Sequence, residues 1–423
     1  MKRLHITRWL VMFQIATLAL SASATAQTVV VGTGNPDIDV PAVQAAVDQG
    51  GDVVLKGHFS FNRPPTVPEP ISSGNAMVLV SKAVSISGAR DERDDEGEMT
   101  SIEAGNFPFY VEAPGAAVTI QGLRFIRPRQ GAILVYAVSG LVIASCKIEE
   151  SGSFPDYMAI EIDTSGTQNP PGKPEKVSGT ILIANNDIDS AGLLPIIIWY
   201  VGVPGAEVDA YVSGNTIRNF TERAMNIRGV GGRTFIEGNV IATGTVPGVI
   251  FGALHPIFVA DPTDVNSYVI AHNSIDVEWQ TGSAAGIAVR QAIRHAIVVD
   301  NEINMKAPEG TIFDERSAGI EITGSSRDDV VQGNRIRGHA RAALSVGPPA
   351  PGPGFPANNA FTLNHLDDFK ASLADIFVGE GVTNTLIVGK GTVEDHGIGT
   401  VILPVAGRGD DKDQDKDKVR DNR

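Results

Sequence analysis

The sequence predicts an all-β fold in which the chain winds as a stack of parallel coils, a β-helix. Three observations carry that prediction. Glycine is abundant and aromatics are scarce, with 46 glycines and 6% aromatic residues in 423; with Val and Ile dominating the apolar set, this is a composition of short strands and many turns. Turn signals recur without long helical periodicity. One phrase repeats: apolar-x-apolar, a gap, then apolar-x-Gly or polar-Asn-x-Ile. It reads AMNIRGVGGRTFIEGNVI from Ala224, AGIAVRQAIRHAIVVDNEI from Ala285 and AGIEITGSSRDDVVQGNRI from Ala318.

In these three copies the residue between the first two apolars lies 13 positions before the Asn: Asn226 and Asn239, Ala288 and Asn301, Glu321 and Asn334. Looser copies carry Asn186, Asn215, Asn273 and Asn364, while Cys146 in LVIASCKI and Leu123 in VTIQGLRF hold the same place. The Asn-to-Asn interval varies, so loops of unequal length are inserted between constant strands. That is the signature of coil stacked on coil, with strands paired in parallel about 4.8 Å apart. The Asn is expected at an inward turn, its amide meeting amides of the coils above and below. Cys146 and Leu123 then fit the same column as small apolar substitutes. Each x of Ile-x-Ile points outward while its neighbours point in. A leucine-rich repeat would show helical or Leu-periodic segments, and a left-handed β-helix a strict hexapeptide period; neither is present.

VPAVQAAVDQGGDVVLKGHFSF, Val40 to Phe61, reads as a short helix, a Gly-Gly-Asp turn and a first strand. With the repeats, it makes roughly Asp37 to Pro404 resemble the right-handed parallel β-helix, pectate-lyase-like superfamily. The resemblance implies one single-stranded right-handed parallel β-helix of about ten coils over residues 27–406. Val43, Ala46 and Val47 share one face of the helix, suited to plug the open end and cover core and strand edges. The resemblance also implies a substrate groove along the outside of the sheet that holds each coil's first strand. One such fold hosts many activities, so the reaction does not follow from it.

The ends belong to other classes of segment. Lys2, Arg3 and Arg8 precede the apolar run Trp9–Leu20, and Ala24-Thr25-Ala26 gives small residues at a cleavage point. Residues 1–26 are expected to be a signal peptide cut before Gln27, which places the protein outside the cytoplasm, secreted or periplasmic. No later stretch is long and apolar enough for a transmembrane segment. Losing those three cations takes the formal charge from −15 to −18, which argues against nucleic acid as a partner. One cysteine, Cys146, excludes an intrachain disulfide and a cysteine zinc cluster. Residues 407–423 form a disordered charged tail; from Arg408 it carries six Asp against six Lys or Arg. Asp411, Asp413 and Asp415 mimic the start of a calcium loop, but Lys416 stands where glycine is needed and no Glu closes it. The inserts NRPPTVPEP (Asn62–Pro70) and GPPAPGPGFPANN (Gly347–Asn359) are Pro-rich loops, and DERDDEGE (Asp91–Glu98) reads as a solvated loop.

Stacking the coils aligns the outward positions. One column runs Leu134, Glu161, Ile197, Asn226, Phe258, Ala288, Glu321, Ser345, and a second runs Tyr136, Asp163, Trp199, Arg228, Ala260, Arg290, Thr323. A solvated sheet face is an unordered mix of Thr, Ser, Lys and Asn; this one interleaves aromatics, carboxylates and arginines. Rings offer stacking platforms and charged groups offer strong hydrogen bonds, a mixture suited to a sugar polymer. The substrate-binding candidates are Tyr136, Trp199, Asn226 and Glu321. The catalytic candidates are Glu161, Asp163, Arg228 and Arg290, expected to form one charged centre with Glu321 at its end. Glu161 and Asp163, two apart on a strand, place carboxyls roughly 6–7 Å apart, approaching the spacing of inverting glycosidases. A lyase would use Arg228 or Arg290 as base and a group, often Ca²⁺, to acidify the proton beside a uronate. No cofactor motif is present. The sharper signatures of the superfamily, an Asp-Asp pair followed by Gly-His-Gly and Arg-x-Lys, are missing, and Asp328-Asp329 falls in a turn. His255 and His295 read as turn residues, and FDERS (Phe313–Ser317) as a structural cluster near the groove edge. A glycan-binding β-helix without catalysis is the alternative to an enzyme, an ordinary polar face with cross-coil pairs such as Asp163–Arg228 the bland one. In either case outward residues are expected to matter little for folding.

Overall fold

The structure is a computed structural model. It describes residues 27–404 apart from 72–74, 90–98, 152–157, 166–172, 191–193, 244–256, 262–266, 280–282, 309, 315 and 348–353. The expected signal peptide (residues 1–26), the Asp91–Glu98 stretch, His255 and the charged stretch 407–423 lie outside the described residues.

The chain winds as a right-handed parallel β-helix with three long sheets of 14, 11 and 12 strands. A single coil shows the plan: Met225–Val230 enters the 12-stranded sheet, Gly232–Glu237 the 14-stranded sheet and Val240–Ala242 the 11-stranded sheet. Each strand pairs in parallel with its counterpart in the coils before and after. Inward Val and Ile side chains from all three sheets merge into one continuous core.

The asparagines form the interior column expected of them. From Asn215 to Asn364 each side-chain oxygen accepts both the backbone N–H and the amide Nδ2 of the Asn one coil earlier, at 2.9–3.0 Å. The second proton of each Nδ2 goes to a strand carbonyl, as from Asn215 to Ile183 at 2.9 Å. Cys146 sits at the head of the ladder, its N–H donating to Asn186 Oδ1 at 3.0 Å. Its thiol is buried, and burial pushes the thiol up to about 12. The residue before each Asn is left-handed, including Gly214 at φ 65°, Gly238 at 66° and Gly333 at 67°. Hence the Gly-Asn pairs: glycine takes that backbone without strain, and asparagine then turns inward.

The helix α1, Pro36–Val47, caps the N-terminal end. Asn35 accepts the Asp37 N–H at its start, and Val43, Ala46 and Val47 are buried in the common core. Asp39 ties the cap to the first coil, accepting from Thr33 and from the Ser60 N–H at 2.8 Å each. The insert Asn62–Pro70 is not wholly loop. Val67–Pro68 pairs antiparallel with Asn75–Ala76, and Ile71 and Ala76 pack over Phe107, Tyr110, Leu134 and Tyr136. This closes the N-terminal part of the outer face of the 12-stranded sheet.

Candidate functional site

The pairing register places the outward residues as the repeat alignment has them. Leu134 pairs with Glu161, Glu161 with Ile197, Ile197 with Asn226, Asn226 with Phe258, Phe258 with Ala288, Ala288 with Glu321 and Glu321 with Ser345. The second column follows from Asp163 through Trp199, Arg228 and Ala260 to Arg290.

Their environment differs from the expectation of a solvated face. These side chains point away from the core, yet Glu161 is 4% exposed, Asp163 2%, Arg290 8%, and Asn226 and Glu321 0%. The expectation that they are immaterial to folding is therefore corrected: burying such groups has a cost, and each needs a partner or a purpose.

The single charged centre also resolves into two groups. At one end are Glu161 and Asp163 on the strand Ile160–Asp163. Asp163 Oδ1 accepts the Ser165 N–H at 2.7 Å and its hydroxyl at 2.6 Å. Glu161 has no hydrogen-bond partner among the described residues, and it lies between Leu134 and Ile197 in its column. Burial, then the nearby Asp163 and Glu69, raise its carboxyl well above the usual range. Burial raises Asp163 too, against the two Ser165 bonds. Two carboxyls on one strand face are thus both raised by burial, the shift that favours proton transfer at such a pair.

Trp199 stands between this pair and the second group, whose centre is Phe258. The guanidinium carbons of Arg223, Arg228 and Arg290 lie 4.4, 5.0 and 5.4 Å from its ring centre. Arg228 also stacks on Trp199 at 5.1 Å. It takes its position from Asn226, whose Oδ1 accepts from Nε at 3.0 Å. The expected cross-coil pair of Asp163 with Arg228 is replaced by these separate contacts. Arg290 donates to Glu321 Oε2 from Nη2 at 2.7 Å and from Nε at 3.2 Å, which answers what Glu321 does: it anchors an arginine. Burial raises Glu321, opposed by Arg290. Asp314 and Arg316 of the FDERS cluster also reach it electrostatically.

Two further expectations change. Tyr136 is not an open platform; it is 8% exposed, packs in the apolar cluster under the first insert and carries Lys176 Nζ 4.0 Å above its ring. Asp328 and Asp329 divide: Asp328 lies at the left-handed turn with Asn358 on its carboxyl, while Asp329 is interior and accepts the Ala296 N–H at 2.8 Å. His295 is an exposed turn residue at φ 58°. Arg223 and Glu222, paired at 2.7 Å, were missed by sequence reasoning because they precede the strand rather than occupy its outward positions. Among the described residues no three His, Cys, Asp or Glu side chains converge as a metal site, and no helix is long and apolar enough to cross a membrane.

Neither a protein-family profile nor a curated protein sequence matches the chain. Solved structures do. The surface protein and adhesin PfbA of Streptococcus pneumoniae is 15% identical with a TM-score of 0.49, over 90% of this chain and 100% of that one. The A-module of the mannuronan C-5 epimerase AlgE4 of Azotobacter vinelandii is 11% identical with a TM-score of 0.42, over 88% and 97%. A mutant tailspike protein of E. coli bacteriophage HK620 is 12% identical with a TM-score of 0.41, over 87% and 75%. The chain is a right-handed parallel β-helix protein. That winding rests on the pairing of its own three sheets; likeness at this level says nothing of the chemistry on its face.

Proposed function

We propose that the outer face of the 12-stranded sheet is the carbohydrate site of an exported enzyme that cleaves an acidic polysaccharide, with Glu161 as the acid. One observation carries this reading: Glu161 is a 4% exposed carboxyl without a described hydrogen-bond partner, beside a second raised carboxyl on the same strand. A structural role would give it a partner; a carboxyl raised by burial above the usual range is what protonation of a glycosidic oxygen needs. Asp163, fixed by Ser165, serves as the second carboxyl, and Trp199 supplies the ring beside them. In the lyase form of the reaction Arg228 would be the base; Arg290 is engaged by Glu321 and serves binding.

The test is a polysaccharide panel assayed for new reducing ends and for the absorbance of an unsaturated uronate, each with added Ca²⁺ and with chelator. Turnover that Glu161→Gln abolishes supports the reading. Measurable glycan binding without cleavage on any polymer points instead to a non-catalytic glycan-binding β-helix.

A further inference from the structure

The group around Phe258 is rich in donors and poor in acceptors. Three guanidiniums crowd one ring, where two carboxyls, Glu222 and Glu321, are in contact with Arg223 and Arg290. Arg228 has no carboxylate among its described hydrogen-bond partners; its Nε is held by an amide oxygen. Three fully buried N–H donors at the same place have no acceptor among the described residues: Asn226 Nδ2, Trp199 Nε1 and Arg223 Nε. A native structure seldom leaves such donors unmet unless a water, ion or ligand completes them. Arg223, Arg228 and Trp199 remain partly open to solvent, so the group is reachable from outside. Burial pulls Arg223 down to about 10, with Glu222 opposing it and the Arg228 and Arg290 guanidiniums adding to it.

The backbone fixes this arrangement. Tyr200 and Gly229, beside Trp199 and Arg228, are both left-handed, at φ 52° and 58°. A Cβ on Gly229 would meet the Tyr200 ring at 2.8 Å. Arg228 is thus presented beside a constrained left-handed residue, which suits a preformed site.

We propose that Arg223, Arg228 and Arg290, with the Asn226 amide and the Trp199 indole N–H, form a subsite for one anionic group, a carboxylate or sulfate, on a bound sugar. Guanidinium forks match such planar or tetrahedral anions, and donors converging from several coils neutralise the charge better than one ion pair. Arg228 lies two coils from Asp163, about 10 Å along the sheet. The inference rests on the carbohydrate reading for the identity of the ligand and extends it. The acid pair acts on the chain while the arginine group selects for charge a short distance away.

The test uses small probes, so that it does not depend on turnover. Sodium glucuronate, sodium sulfate and glucose are titrated calorimetrically into the purified mature protein and into Arg223→Gln, Arg228→Gln and Arg228→Lys variants, with thermal melts of each as a folding check. The expected result is binding of glucuronate and sulfate but not glucose, weakened about tenfold or more by either Gln substitution and by rising salt. Arg228→Lys, which keeps charge but loses the fork, should fall between. Glucuronate and glucose binding alike, or glucuronate binding unchanged in folded Gln variants, would overturn the subsite while leaving a carbohydrate site standing. Sulfate and glucuronate binding with no polysaccharide bound or cleaved would keep the subsite and remove the glycan reading. No binding of any probe to the folded protein overturns the subsite.

Discussion

Two polar systems run along this molecule, an interior ladder and a largely buried outer face, and they are built on opposite rules. The asparagine ladder lies inside the coil, and every amide in its middle has its oxygen and both protons matched by neighbours above and below. The columns on the outer face of the 12-stranded sheet hold carboxyls and guanidiniums under comparable burial, but their neighbours are mismatched. Glu161 is flanked by Leu134 and Ile197, Asp163 by Trp199, and three arginines gather where two carboxyls are in contact. A buried polar group that is repeated and reciprocated stabilises the stack. One that is unique and unreciprocated costs stability, and such groups cluster where function requires them.

The difference can be tested by breaking each column. The largest effect is expected from the ladder. Asn301→Leu removes the acceptor for the Asn273 N–H and amide and one of the two donors to the Asn334 oxygen, which keeps the backbone N–H of residue 301. It should cost on the order of 1–3 kcal/mol for each buried group left unpaired, read as a lower midpoint in denaturant. Gly229→Ala comes next. A Cβ at φ 58° and 2.8 Å from the Tyr200 ring should cost about 1–3 kcal/mol and disturb anion binding beside it more than it disturbs the distant ladder.

A smaller effect with a definite sign comes from pH. The folded protein holds Glu161 and Asp163 above their usual values of 4.5 and 3.8, so between those values and the folded-state ones it binds more protons than the unfolded chain. Stability should be fullest near or below pH 4.5 on account of this pair and fall as pH rises through the folded-state values. In Glu161→Gln that slope should flatten, measured by melting temperature across pH. The smallest effect is expected of Asp163→Ala, where a buried carboxyl is lost with its Ser165 bonds. Melting should shift less than in Asn301→Leu, because the lost Ser165 bonds are partly offset by relief of a buried, raised carboxyl, while cleavage or glycan binding falls.

Much of the ladder was legible because a constant spacing of Asn after a left-handed turn residue is a one-dimensional signal: Gly-Asn at 214–215, 238–239 and 333–334 states both the turn and its inward amide. The register of the outer columns was legible for the same reason, since strands of constant length fix which side chains align. Burial of those columns was not legible. It depends on what lies over the sheet, and the pairing of Val67–Pro68 with Asn75–Ala76, with Ile71 and Ala76 against Tyr136, comes from a Pro-rich stretch with no repeat to align. Arg223 was invisible because it precedes its strand, and the pairing of Arg290 with Glu321 rather than Asp163 with Arg228 depends on rotamers that spacing does not encode.

The most direct measurement is Glu161→Leu, followed by melting and by cleavage of the best polysaccharide substrate side by side. Leucine continues the apolar column of Leu134 and Ile197 and removes a buried carboxyl, so an acid retained for function at the expense of stability should give an equal or higher melting temperature with cleavage abolished. A lower melting temperature, or cleavage that survives, would show that Glu161 belongs to the fold rather than to the chemistry.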